Sequence, residues 1–551
     1  STVIALTLTP VLCSYLLSKD AKKDKKEDKE PFVARHLKSG YSRLLGWILN
    51  YKKTVLIVCA VVLVASIALF TTFGRSFLPP FNEGSFTISI ATTPGTSLEE
   101  SDRIGRMAEE IILTIPEVQT TVRKTGRAEL DEHALGVNVS EIEAPFVLDE
   151  RKRDVIANEL REKLEDLSGV NLEIGQPISH RIDAMLSGSR ANVAIKIFGA
   201  DLNKLFSIGN QIKSAVQDVE GIADLNVEQQ VERPQLMIRP NREIMAKFGI
   251  TVPEFKEFVG TMLAGQVVSQ VFEDGRTFDL TVKVNDEQRT SIDDIANLMI
   301  DANGKKIPLS QVAEIKSVVG PNTINRENVQ RNIVVGANVA GRDLRSVVNE
   351  IQERIAHQVE LPEDYYIQYG GQFESEAQAS RTLMTVSAFA ILIIFLLIYN
   401  QFRDTKQAAA IMLNLPLALI GGVIIIWLSS GVISIPAIIG FISLFGIATR
   451  NGLLLVERYN VLVAEGNTVN EAIRQGSLDR LNPILMMAIS TALALLPLAL
   501  NADAPGNEIQ SPMALVILGG LVTSTLLNMV VIPIIYGWIA KDKDTAHETL
   551  S

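Results

Sequence analysis

The sequence predicts an α-helical membrane-spanning bundle joined to a large α+β block outside the membrane. Three observations predict it. Six apolar stretches of about twenty residues recur, one near the start and five after residue 380. About three hundred residues between them alternate short strand-like and helix-like patterns instead. The lysines and arginines that flank the apolar stretches fall consistently on one side of them.

Taken in order, residues 1–17 read as the end of a membrane helix, with Pro10 inside the apolar run. There is no initiating Met and no basic leader, so the chain is expected to be part of a longer polypeptide. Residues 18–53 carry Lys22, Lys23, Lys25, Lys26, Lys52 and Lys53 and read as a cytoplasmic linker. Within it, 32–49 set Leu37, Tyr41, Leu44, Leu45 and Ile48 near helical spacing. That pattern predicts an interfacial helix with Trp47 at headgroup level. Residues 54–74 fit one span.

From residue 75 the texture changes. Strands are predicted at 86–91, 120–124, 144–148, 171–175, 193–198, 223–228, 332–337 and 365–370. Helices are predicted up to residue 114, then over 151–167, 203–219 and 344–359. Ser97 and Glu100 form a capping-box signature ahead of the first. Four βαβ-like repeats of similar length predict paired ferredoxin-like modules over 75–233 and 317–380. Residues 234–316 differ from both and carry a hairpin signal at Asp274-Gly275, so they read as a separate small domain.

Residues 381–540 hold five spans, at about 383–402, 408–428, 435–456, 483–500 and 513–539; 541–551 read as a cytoplasmic tail. Arg403, Lys406, Arg458, Arg474, Arg480, Lys541 and Lys543 share one side. The loop 501–512 has Asp503 and Glu508 but no Lys or Arg. The α+β block therefore lies outside the cytoplasm. Gly421, Gly422, Gly446, Gly452, Gly519 and Gly520 suit either close helix packing or ordinary membrane-helix composition.

Several function classes fall away. A net charge of -11 argues against a nucleic-acid partner. Cys13 and Cys59 both sit in apolar runs and form neither a metal-ligand pair nor a disulfide framework. No phosphate loop, metalloprotease, hydrolase or CxxC motif is present, so neither an enzyme nor an ATP-driven pump is expected, and no cofactor.

Arg450 is the residue that calls for an explanation. It lies inside the span 435–456, where a guanidinium costs a few kcal/mol or more. One reading has it snorkel to the headgroups beyond Glu457. The other has it face a partner or a watery cavity and serve an ion-driven transporter. The apolar cores of the spans contain no Asp or Glu, so the second reading places its carboxylate partner elsewhere in a longer protein. Protonating that carboxylate would switch off the pair and let helices shift.

The motifs GIATRNGLLLVERYN (Gly446 to Asn460), RLNPILM (Arg480 to Met486), FLPPFNEG (Phe77 to Gly84), KTGRAE (Lys124 to Glu129), GPNTINREN (Gly320 to Asn328) and GQFE (Gly371 to Glu374) carry a family likeness. In this order the chain resembles the resistance–nodulation–division (RND) efflux pumps over nearly its whole length. It resembles their C-terminal half, from the end of the sixth span to the twelfth. The segments RIDAMLSGSRANVAIKIFG (Arg181 to Gly199) and GQFESEAQA resemble the heavy-metal branch, the cobalt–zinc–cadmium and copper–silver pumps. The resemblance implies an inner-membrane homotrimer in membrane lipid, driven by proton antiport, with a periplasmic adaptor and an outer-membrane channel as partners. It makes 234–316 the docking subdomain and the βαβ units the porter subdomains. It puts Arg450 at the family's basic relay position on span ten and Arg480 at the basic position opening span eleven. Taken by itself, Arg480 suits a plain cytoplasmic anchor better than a relay role. The acidic relay partners belong to the family's fourth span, so this chain alone is expected not to pump.

The resemblance also bears on substrate. The methionine triad of copper and silver pumps is replaced here by Ser89, Val139 and Ala184, with Met185 one place off and expected to pack. Harder ligands lie near the same cleft: Glu129, Asp131, Glu132, His133, Glu141, His180 and Asp183. Imidazole and carboxylate suit a divalent ion such as zinc or cobalt. An ordinary solvated loop at Asp131-Glu132-His133 is the competing reading. Two other functions stay open. A drug-efflux pump of the same superfamily would want an aromatic porter pocket, and aromatics are 6% of the chain. A membrane-anchored ligand sensor would leave the intramembrane arginine without a task.

Overall fold

The computed structural model describes residues 2–17, 31–79, 81–126, 136–148, 151–187, 191–230, 232–321, 323–502, 504 and 506–540. The chain divides into two compact units. One comprises Ser1–Asn82, Asp343–Arg345 and Ser375–Ser551; the other comprises Glu83–Arg342 and Ser346–Glu374.

The first unit opens with α1 (Thr2–Leu17), α2 (Phe32–Asn50) and α3 (Lys52–Phe70), then a short strand β1 (Gly74–Ser76). α2 is amphipathic as its spacing predicts. Tyr41, Leu45 and Ile48 are buried, whereas Leu37, Leu44 and Trp47 are exposed.

The second unit follows with β2 (Ser85–Thr92), α4 (Leu98–Ile112), β3 (Val122–Thr125), β4 (Val139–Pro145), α5 (Arg153–Leu164) and β5 (Val170–Gly175). Ser97 caps α4 by accepting from Glu100 N. The four strands pair antiparallel in the order β3-β4-β2-β5. Alternation then decides the faces. Ile88, Ile90, Ile142 and Ile174 point into a core with Ile112, Ile156, Leu160 and Leu164. β4 starts five residues earlier than the strand predicted at 144–148, because its partner β2 runs from Ser85 to Thr92 and pairs back to Val139.

Next come α6 (Pro177–Ser187), which sequence patterning misses, then β6 (Val193–Phe198), α7 (Leu202–Val216) and β7 (Ile222–Val227). An insertion follows: β8 (Glu232–Pro240), α8 (Arg242–Phe248), α9 (Val252–Val259), β9 (Gln266–Glu273), β10 (Arg276–Val282), α10 (Ile292–Ala296), β11 (Met299–Ala302), β12 (Lys305–Pro308) and β13 (Ala313–Pro321). β8 and β13 pair antiparallel along their length, and the segment between them has its own buried cluster around Met245, Phe255, Leu309 and Val312. Asp274 and Gly275 turn the β9–β10 hairpin with φ of 49° and 76°, as a two-residue hairpin turn requires. The unit closes with β14 (Arg326–Glu327), β15 (Gln330–Val339), α11 (Leu344–Gln358) and β16 (Tyr366–Gly371). Its second sheet runs β7-β15-β6-β16, all antiparallel, so the order of the first sheet is repeated with the insertion spliced between β7 and β15. β6 is buried at every position, as a central strand covered on both faces must be.

The first unit resumes with α12 (Gln372–Phe402), α13 (Thr405–Met412), α14 (Asn414–Leu428), β17 (Val432–Ser434), α15 (Ile435–Ala464), α16 (Val469–Leu500) and α17 (Gln510–Ile539). α3, α12, α13–α14, α15, α16 and α17 are six helices long and apolar enough to cross a membrane. Two begin well before the predicted spans. α12 starts eleven residues ahead of 383. α16 starts at Val469, not near Pro483, because Thr468 and Glu471 form a capping box and Pro483 is carried inside the helix. Glycines set the helix spacing. A Cβ on Gly421 would collide with the backbone of Gly519, so α14 and α17 approach closely there. At one end of the bundle Tyr459 Oη and Ser477 Oγ lie 2.6 Å apart, and Tyr536 Oη donates to Asn460 Oδ1 at 2.7 Å.

Candidate functional site

Two places hold the predicted site residues. In the membrane unit, Arg450 occupies the middle of α15. Its neighbours Thr449, Asn451 and Gly452 are buried in the bundle, while Arg450 itself points outward and is exposed. It makes no ion pair or hydrogen bond among the described residues. Asp479 does not serve it: that carboxylate accepts from Arg458 at 2.7 Å. Arg480, on α16, is half-buried, and its Nε has no hydrogen-bond partner among the described residues. Among the described residues, neither of these two cations at membrane-spanning helices has a carboxylate paired with it.

In the second unit, the candidate metal ligands divide sharply. Glu129, Asp131, Glu132 and His133 lie outside the described residues, as does the side chain of Asp183. Glu141 and His180 are described, and both lie on one face of the first sheet. The face follows from register. Ser89 stands opposite Glu141 on β4 and Glu173 on β5, and Thr87 stands opposite Glu143 and Gly175. His180, on α6, stacks its ring where a Cβ of Gly175 would be, and is 6% exposed. The Ile88–Ile90 side of the same strand faces the core, so this second face is the polar one.

Electrostatics mark that face as acidic. Glu141 pairs with Lys124 at 3.1 Å. Glu143 accepts from Thr87 Oγ1 at 3.0 Å and from Ser85 Oγ at 3.4 Å. Burial, with the charge of Glu141 adding to it, holds the Glu143 carboxyl above the ordinary glutamate range. Below the ordinary glutamate pKa of about 4.3 this carboxyl is neutral in folded and unfolded chains alike. As pH rises through the raised folded value, the folded state must ionise a disfavoured group, and stability falls. Thermal unfolding of the protein across this range is expected to show that decline. Glu143→Gln is expected to flatten it; an unchanged profile would assign the decline elsewhere.

Glu143 and Glu173 are functional candidates that reading for motifs misses. The signal was there: Glu141 and Glu143 alternate with apolar residues at the two-residue strand period, as does Glu173 on the strand across β2. Among the described residues no three His, Cys, Asp or Glu side chains stand at metal-ligand geometry. Met185, expected to pack, is instead 85% exposed. Ser89 is buried on the polar face, and Val139 shares that face two positions along β4 from Glu141. α6 itself is capped from a distance: Glu83 accepts from Ile178 N at 2.7 Å and Ser179 N at 3.3 Å.

Comparison with known proteins places this arrangement. The chain matches the AcrB/AcrD/AcrF family over residues 1–540. It is 31% identical over 99% of its length to the cobalt-zinc-cadmium resistance protein CzcA of Cupriavidus metallidurans, covering 52% of that protein. It is 33% identical over 97% of its length to protein HelA of Legionella pneumophila, again covering 52%. A crystal structure of a heavy metal efflux pump superposes with a TM-score of 0.78 at 28% identity, over 92% of this chain and 53% of that one. The chain therefore spans about half the length of the relatives it matches. With six candidate membrane helices and a sheet-rich second unit in the family's order, the chain belongs to the AcrB/AcrD/AcrF family, the resistance–nodulation–division proteins, on their heavy-metal efflux branch.

Proposed function

We propose that this chain is part of an inner-membrane transporter that exports heavy-metal cations, divalent ions such as zinc or cobalt in preference to copper, and that proton antiport drives it. The observation that carries this reading is the outward-facing guanidinium of Arg450 on a membrane-length helix, in a chain that resembles metal-resistance pumps along nearly all its length. A charge held there without a partner among the described residues suits a relay completed by an acidic helix of the whole protein. Arg480, about one turn before the apolar part of α16, is the second basic member.

The repeated sheet order supports reading the second unit as ferredoxin-like porter subdomains with a docking insertion. Glutamates and a histidine on a polar face without methionine favour a hard or borderline divalent ion as substrate. The β9–β10 hairpin supports a homotrimer. Val271, Phe272, Phe278 and Leu280 are exposed on it, an apolar surface that a second copy would cover. A periplasmic adaptor and an outer-membrane channel complete the proposed assembly.

Growth of a deletion strain complemented with the whole gene tests the substrate. Zinc and cobalt tolerance is expected to be restored, with copper and a dye panel unaffected. Glu141→Ala combined with His180→Ala is expected to cut the restored zinc tolerance while the protein still reaches the membrane. Restoration of dye tolerance alone would replace this reading with drug efflux.

A further inference from the structure

Three helices of the membrane unit meet at a polar spot that the transport reading does not use. Asn414 opens α14, Asn451 lies at the middle of α15, and Thr525 and Asn528 lie near the middle of α17. All four side chains are more than nine-tenths buried. Asn528 Nδ2 donates to the Ala448 carbonyl at 3.3 Å. One turn further along α15, Gly452 leaves room for the Asn414 amide, and a Cβ there would collide with Asn414 Nδ2. Asn414 and Asn528 thus lie against neighbouring turns of α15, the turns that carry Asn451.

Yet both amide atoms of Asn414, the Oδ1 atoms of Asn451 and Asn528, and Thr525 Oγ1 have no hydrogen-bond partner among the described residues. At this depth in a bundle, polar atoms without partners are strongly disfavoured. The chain path adds to the demand. α13 ends at Met412, and Pro416 has no N–H to offer the Met412 carbonyl one turn back.

We propose that Asn414, Asn451, Thr525 and Asn528 hold a small cluster of ordered water between α14, α15 and α17, and that this cluster hydrates the break between α13 and α14. The donor and acceptor inventory selects the ligand. Three amide oxygens accept, the hydroxyl does either, and Asn414 Nδ2 donates. Water answers both kinds of group. A bare monovalent cation would satisfy the oxygens and leave the amide N–H facing a positive charge. A divalent ion would want a carboxylate, and these four residues supply none. Water so placed replaces helix hydrogen bonds lost at the break, which makes the α13–α14 junction a wet joint. The site is separate from Arg450, which points out of the bundle from the other face of α15.

Radiolytic hydroxyl labelling of the protein in lipid nanodiscs tests this, because bound water generates the oxidant in place. Ile411 is fully buried beside Gly452, and Ile420 is buried in an apolar cluster. Ile411 is expected to be oxidised at least about tenfold faster than Ile420 if water is held beside it. Equal rates would overturn the proposal. Asn414→Leu with Asn528→Leu is expected to bring Ile411 down to the Ile420 rate, and Asn414→Ser, which keeps a polar group, to leave it fast. If the double variant does not fold, Asn414→Leu alone is read. Fast labelling that persists in any folded leucine variant would show that these side chains do not hold the water.

Discussion

Arg450→Ala is expected to return zinc tolerance of a complemented strain to that of the empty strain, with the protein present in the membrane at its usual level. The two outcomes come from one cause. An arginine at the middle of a span costs about 2.5–3.5 kcal/mol on insertion scales, and nothing described in this chain offsets that cost: Arg450 is exposed and has no ion pair. As far as the contacts of this chain go, removing it should therefore leave α15 as stable as before or more so. A purely structural arginine would behave in the opposite way, with stability and function lost together. Arg450→Lys keeps a charge but not the planar fork, and is expected to keep part of the activity. If the alanine variant transports normally, Arg450 is a headgroup anchor and the proton relay proposed for it has no basic member on α15.

How much of this was legible beforehand depends on where each signal is stored. The β9–β10 turn is local: Asp274 and Gly275 are residue types that accept positive φ, and both adopt it. The strand–helix–strand repeats are local as well, because alternation along Phe86 to Ala91 decides which side meets the core. α6 is different. Its two first amides are capped by Glu83, which lies about ninety residues earlier, so no neighbouring residue announces the helix. The start of α16 was written locally, in Thr468 and Glu471, but Pro483 drew the boundary to itself. A proline inside a membrane helix is tolerated when neighbouring helices satisfy the freed carbonyl, and the sequence does not show that packing. The site divides along the same line. The residue types at Glu141 and His180 were readable. That Gly175 makes room for the His180 ring, and that Glu143 and Glu173 share the face, needed the register of β2 with both neighbours.

The second large effect is expected at Asp224, and it concerns how the two sheets of the second unit are held together. Its carboxylate is 3% exposed, and the residue is the third of β7, with φ of 51°. It accepts from Arg161 Nε on α5 at 3.0 Å, from Ile174 N on β5 at 3.4 Å and from Asn338 Nδ2 on β15 at 2.8 Å. The first two donors belong to the first sheet and its helices, and the third belongs to the second sheet. Deleting the carboxylate leaves a guanidinium and an amide facing each other with no acceptor between them. Breaking a buried ion pair from one side costs about 3–5 kcal/mol, and alanine also resists the left-handed backbone that aspartate tolerates. Asp224→Ala is therefore expected to lower the unfolding midpoint of the second unit by an amount equivalent to that range. Asp224→Asn keeps the backbone preference and one acceptor, so its loss is expected to be smaller. Arg161→Ala combined with Asp224→Ala should cost less than the sum of the two single changes, because the pair is lost only once. Strict additivity in that cycle would mean that Arg161 and Asp224 act independently, and the join between the sheets would then rest on the other contacts, those of Asp224 with Asn338 and Ile174 and of Asn226 with the Leu172 carbonyl among them.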